Sequence, residues 1–262
     1  MIYLSFIVWM LLIVVAGIGL YRLWAGRLRP AWVNWALLPG TVVSEMAYIL
    51  GCMITGGEVR HARLIDTSGR GGEARTDATG GIKFLSPLVA SLMALVACGA
   101  AILAAYRLLG EPVLVEFTLG VGGITSGGLL PKELPDSWPG LWSLLQDQLG
   151  LVRRTLETWA KVDWVSWRVP LFVYLSMCLS IRLAPVTRAV RPTLLATVAL
   201  ALIIALVGLI WPDFEGLMDK VWPLLTYVWA TLLVLLVLTL VTIGLVSLGR
   251  VLAGKEKSGG SK

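Results

Sequence analysis

Glu45 is the residue of this 262-residue chain with the clearest call to chemistry, because it is the one acid inside a long apolar run, 32–54. A carboxylate in the middle of a membrane span costs at least about 2.5 kcal/mol on insertion scales, so such a residue is a functional candidate by default. Two readings fit it. In one, a retained carboxylate faces a cavity, with the Ser44 and Tyr48 hydroxyls as hydrogen-bond partners. In the other, a protonated, neutral acid is satisfied by a neighbouring span, since desolvation favours the uncharged form. Ser44 and Tyr48 stand four residues apart, one helical turn, on one face. That spacing around a glutamate clamps a metal when both positions are histidine, and the acid then activates water. Hydroxyl and phenol are poor zinc ligands at neutral pH. The chain has a single histidine, His61, whereas most zinc hydrolases take two or three imidazoles. The residues therefore predict no intact catalytic set, no metal and no cofactor.

The other reactive side chains offer less. Cys52, Cys98 and Cys178 all fall in apolar segments without C-x-x-C spacing and read as small buried hydrophobes. The glycines around Ser126, at 122, 123, 127 and 128, are turn residues, because no Lys-Ser/Thr pair follows to make a phosphate loop. His61, between Arg60 and Arg63, reads as an exposed loop residue. Arg182, near the end of a span, is expected to snorkel to the headgroups, with pairing to Glu45 as the other reading.

The elements that must position these residues follow from composition. Apolar residues make up 57% and charged residues 15%, against roughly 25% charged in a soluble domain, so a water-soluble globule is excluded. Uninterrupted apolar runs such as 221–248 require a polytopic membrane protein. The net charge of +6 lies between the apolar runs, where membrane topology accounts for it, and nucleic acid is set aside as a partner. The pattern predicts an all-α membrane domain over 1–252 with about six spans, at 1–21, 32–54, 84–109, 169–184, 193–211 and 221–248. The first lacks the basic leader and small-residue cleavage site of a signal peptide and reads as a retained span. The last exceeds the ~20 residues a bilayer core needs, so it must tilt, bend or project.

Between the spans, the glycine-rich stretch 56–81 reads as strand and turn, and 111–131, with its run of glycines, as loop or short strand. From 138 to 160, Trp138, Leu141, Leu145, Leu149, Val152, Leu156 and Trp159 recur every three or four residues, which predicts an amphipathic helix. The tryptophans around it favour a seat in the membrane interface, with packing on the protein's own spans as the alternative. The tail 253–262 is polar, basic and glycine-rich and is expected to be disordered. Most basic residues of the short loops and tails fall on the side of the termini, with Arg22, Arg27, Arg29 and Lys220 on the other, so both termini are expected in the cytoplasm.

The stretch Leu38-Pro39-Gly40-Thr41-Val42-Val43-Ser44-Glu45-Met46-Ala47-Tyr48 resembles the zinc-binding helix of the site-two protease family of intramembrane metallopeptidases, whose compact prokaryotic members read L-P-G-T-x-x-H-E-x-x-H. Leu38, Pro39, Gly40, Thr41 and Glu45 keep that frame, and Ser44 and Tyr48 replace its two histidines. The resemblance continues more faintly through Gly56-Gly57-Glu58-Val59 and Ser86-Pro87 to 174–192, where the family's acidic metal ligand falls on Ala189. It implies a vestigial site of Ser44, Glu45, Tyr48 and Ala189 in a prokaryotic inner-membrane protein. On this reading the chain is a pseudoenzyme that sits among membrane lipid and binds transmembrane helices of another membrane protein, or serves as a structural subunit of a membrane complex. The competing expectation is an active peptidase with atypical ligands, Glu45 with Cys52 or His61. A transporter is a third class, for which the sequence shows no paired broken spans.

Overall fold

The structure is a computed structural model, and it describes residues 2–28, 30–56, 58–63, 75–79, 85–122, 130–133, 135, 137–183, 190–211 and 214–258. Helices dominate: α1 (Ile2–Ala25), α2 (Pro30–Ala36), α3 (Leu38–Ile54), α4 (Leu85–Ala105), α5 (Glu111–Gly122), α6 (Trp138–Lys161), α7 (Arg168–Arg182), α8 (Val190–Ile210) and α9 (Phe214–Ser258). Between α3 and α4 lie β1 (Glu58–Arg63) and β2 (Arg75–Thr79), an antiparallel pair in which Glu58 faces Thr79 and a bulge falls between Val59 and His61. Among the described residues three stretches are long and apolar enough to cross a membrane, Tyr3–Ala25, Ser86–Leu119 and Gly216–Leu248, and Leu38–Ile54 and Pro192–Gly208 are shorter apolar helices.

The breaks have local causes. Pro39 cannot donate a backbone hydrogen bond, so the run 32–54 divides at Leu37, where α2 gives way to α3. The far end of α3 is closed by Gly56 at φ +73°, a left-handed conformation that suits glycine, with its N–H on the Met53 carbonyl.

Three expectations need correction. The stretch Glu111–Gly122 is helix rather than loop. The glycines that argued for a loop begin only at Gly120, and Pro112, which cannot donate to the preceding turn, follows directly on a π turn where the α-helical hydrogen-bond ladder is already interrupted. A π turn over Tyr106–Gly110 carries α4 directly into α5. The last helix starts before the apolar run 221–248, holds Pro223 inside it, and continues to Ser258, past the residue at which disorder was expected to begin. Lys255, Glu256 and Lys257 are good helix formers once a helix is already running.

An aromatic layer ties the bundle together. Phe6 and Trp9 of α1 meet Trp222 and Trp229 of α9, and Tyr227 of α9 stacks on Phe172 of α7 and meets Phe117 of α5 edge-on. Trp24 also reaches Thr239 through a 2.9 Å hydrogen bond, and these three α1–α9 pairs advance together, so the two helices run parallel. Just before α6, the carbonyls of Leu130 and Pro131 accept from the indoles of Trp222 and Trp9, at 2.7 and 3.2 Å.

Helix α6 begins at Ser137, whose hydroxyl accepts from Gly140 N–H. It packs on α9 and α5, but not through the apolar stripe read from the sequence. Leu151, Thr155 and Thr158 are buried, and Gln148 accepts a 2.6 Å hydrogen bond from the Trp229 indole. Trp138 and Leu149 are 80% and 70% exposed, and Leu141, Trp142, Leu145 and Leu156 point outward with them.

Candidate functional site

Helical periodicity divides the inner face of α3 into two adjoining stripes, Gly40, Ser44, Ala47 and Gly51 beside Thr41, Glu45, Tyr48 and Cys52, all buried. The first stripe lets neighbouring backbones approach. A Cβ on Gly40 would collide with the Cys178 carbonyl and come within 3.2 Å of the Arg182 side chain, and one on Gly51 would lie 2.5 Å from the Ala90 Cα. Helix α3 is thus pressed against α7 at its start and against α4 further along, the contact that small residues permit between helices in a membrane. Thr55 and Ser86 share a 2.9 Å hydrogen bond at one end of the α3–α4 contact, Gly51 lies against Ala90 in the middle, and Ser44 interacts with the Cys98 thiol beyond it. These three pairs run antiparallel.

The structure brings Ser44, Glu45 and Tyr48 to one buried face of α3, with Glu45 only 5% exposed. Ala189 lies outside the described residues. Thr41 satisfies its own hydroxyl on the Leu37 carbonyl at 2.9 Å.

Arg182 overturns its expectation. It does not snorkel: it is 3% exposed at the end of α7, donates through Nη2 to Asn34 Oδ1, and holds its guanidinium 4.7 Å from the centre of the Tyr21 ring. The Tyr21 hydroxyl donates to the same Asn34 oxygen at 3.3 Å. A guanidinium withdrawn from water needs hydrogen bonds and a negative or π surface, and Asn34 supplies one such hydrogen bond and Tyr21 a π face. The Arg182 carbonyl lies 3.9 Å from Cys98 Sγ. The polar centre therefore joins α1, α2, α3, α4 and α7 around Ser44 and Arg182.

Sequence reasoning passed over Asn34 and Tyr21. Asn34 is the chain's single asparagine and sits between Val33 and Trp35. An uncharged amide inside an apolar run is the sort of residue that hydrogen-bonds across helices, and that was the available signal.

The metal that the sequence resemblance implies does not fit these residues. A zinc site takes thiolate, imidazole or carboxylate donors, but the positions flanking Glu45 carry a hydroxyl and a phenol, with a buried guanidinium close by. Among the described residues no three His, Cys, Asp or Glu side chains come together. No family model, curated protein or solved structure matches the chain.

Proposed function

We propose that this chain is a catalytically inactive member of the intramembrane-metallopeptidase type that binds transmembrane segments of a partner or holds a membrane complex together. One observation carries the reading: the frame Leu38-Pro39-Gly40-Thr41 with Glu45 lies on a helix whose inner face is buried, while a hydroxyl and a phenol occupy the two positions that imidazoles would need. The alternative, a peptidase with an atypical metal site, would draw on Glu45 with Cys52 or His61.

We propose a prokaryotic inner-membrane location with 56–81 as the strand-and-turn element after the second span; because α1 and α9 run parallel, the chain enters α1 and leaves α9 on opposite sides of the bundle, so the six spans with both termini in the cytoplasm expected from the sequence are not retained. Taking the Thr55–Ser86 corner as one boundary, Ser44 lies eleven residues or ~16 Å inward at 1.5 Å per residue. That is about the middle of a ~30 Å hydrocarbon layer. Polar groups at that depth hold helices together, and partner helices can use the same chemistry.

The test is purification in mild detergent from the native membrane, with metal analysis and identification of co-purifying chains. The expected result is sub-stoichiometric zinc together with a membrane-spanning partner. Tightly held zinc at one per chain, or peptide-bond cleavage that is lost in Glu45→Gln, would overturn the reading in favour of the enzyme.

A further inference from the structure

Trp159, Tyr227 and Thr231 each bury a polar atom that makes no hydrogen bond among the described residues: the indole Nε1, the phenol oxygen and the threonine Oγ1. A buried polar group left unpaired is costly, and native structures carry few of them. Here three meet. The Tyr227 hydroxyl faces Trp159 of α6, Ser176 of α7 and Thr231 of its own helix α9, and Ser176, Tyr227 and Thr231 are at most 1% exposed. The sequence places Trp159 in the apolar stripe of α6, but its ring is half-buried and its N–H turns inward.

Tyr227 and Thr231 are both held in this arrangement. The Tyr227 ring stacks on Phe172 and meets the edge of Phe117, which fixes where its hydroxyl lies. Thr226, Thr239 and Thr242, the other threonines of α9, donate to the carbonyl four residues back at 2.7–2.9 Å. Thr231 does not. Its hydroxyl is turned to Tyr227 instead.

Donors and acceptors identify what joins these groups. An indole N–H only donates, whereas a phenol and a threonine hydroxyl do both. The Ser176 hydroxyl gives its proton to the Val173 carbonyl at 2.9 Å and keeps lone pairs with which to accept. A molecule that accepts from Trp159 and Tyr227 and donates to Ser176 and Thr231 gives each of the four a partner. Water has that set of donors and acceptors, and a buried water takes two to four polar partners. A metal ion is refused by the indole N–H, and an anion would be buried with no cation among the four groups.

We propose that one water molecule is bound between α6, α7 and α9, held by Trp159, Ser176, Tyr227 and Thr231. It joins α6 to the bundle at a second point, about three turns beyond the direct hydrogen bond between Gln148 and Trp229. The site is independent of the peptidase kinship.

The experiment exposes the full chain, purified in mild detergent, to a brief synchrotron X-ray dose. X-rays split a bound water into hydroxyl radicals that attack the side chains beside it, so a buried ring is hydroxylated where water lies against it. Peptide mass spectrometry is expected to show Tyr227 modified at least tenfold faster than Phe117 and Phe172, two rings that touch it and are equally buried. In Thr231→Leu, which puts a longer apolar side chain in place of the hydroxyl, the rate at Tyr227 is expected to fall at least tenfold. Replacing chloride by gluconate is expected to leave the wild-type rate unchanged. Equal rates at the three rings, or an undiminished rate at Tyr227 in folded Thr231→Leu, would overturn the site. A rate that rises when chloride is withdrawn would assign the site to an anion and overturn the water. If Thr231→Leu does not fold, the comparison of the three rings in the wild type decides alone.

Discussion

Helices α3 and α6 both turn short polar side chains inward and long apolar ones outward, yet they satisfy the buried polar groups in different ways. On α3 Thr41 bonds back to the Leu37 carbonyl, but the other partners named lie on other helices. Ser44 meets Cys98, and the Gly40 face rests against the end of α7, where Arg182 holds Asn34 and Tyr21. On α6 the hydroxyls are satisfied within the helix, Thr155 on the Leu151 carbonyl at 2.8 Å and Thr158 on the Arg154 carbonyl at 2.9 Å, and only Gln148 reaches across directly. A helix whose polar groups depend on other helices holds one position and no other. A helix that satisfies its own needs less from its neighbours. Substitutions on α3 should accordingly be severe and strongly coupled, and those on α6 mild and additive.

The largest effect is expected at Gly40. Gly40→Leu places a side chain against the Cys178 carbonyl, which belongs to helix backbone and cannot turn aside. Overpacking of this kind costs about 3 kcal/mol or more, so folded yield in detergent should collapse. Gly99→Ala, with open space at its Cβ, should instead gain up to ~1 kcal/mol from helix propensity. Equal thermal stability of the two variants would remove the claim that α3 is backbone-packed.

Next comes the buried guanidinium. Arg182→Met removes a charge-assisted hydrogen bond from Asn34 and the contact with Tyr21, and should cost about 2–3 kcal/mol. Asn34→Leu should cost less, and the double variant less than the sum, with a coupling of about 1–2 kcal/mol. Denaturant titrations of the four proteins give that coupling directly, and strict additivity would mean that the two side chains do not act as a unit. On α6, Gln148→Leu strips the Trp229 indole of its one cross-helix acceptor and should cost only ~1 kcal/mol.

The contrast between the two helices also shows what the sequence could and could not disclose. Apolar runs declared most of the helices, because a residue that must leave water says so by its chemistry. They did not declare which way a helix faces. The stripe Trp138, Leu141, Leu145 and Leu149 marks the face of α6 that avoids water, and in a membrane protein that face can go to lipid as readily as to protein. The inner face of α6 mixes Leu144 and Leu151 with Gln148, Thr155 and Thr158, so its hydrophobic signal is weaker than that of the outer stripe. Glu45 was legible because a lone acid in an apolar run is expensive wherever the helix goes. Arg182 was misread because a long side chain near a span end has a cheap route to the headgroups, and only the tertiary partners Tyr21 and Asn34 reveal that it takes another. Helix α5 was obscured by glycines that begin only near its last turn, at Gly120.

The smallest effect on stability separates lipid from protein as the neighbour of the outer face of α6. Leu145 and Leu149 are exposed, and Arg153 stands apart from them in an exposed i,i+4 pair with Glu157 at 2.8 Å, a kind of contact worth well under 1 kcal/mol. Leu145→Asp should therefore shift unfolding in detergent by no more than ~0.5 kcal/mol. In vesicles the same face should behave differently from its surroundings. Spin labels at Leu145 and Leu149 should relax with oxygen, which concentrates in hydrocarbon, and a label at Arg153 with an aqueous nickel chelate. If all three respond alike to the chelate, α6 stands in water and its apolar stripe awaits a protein; if the split appears, the helix lies in the interface with its tryptophans at headgroup level.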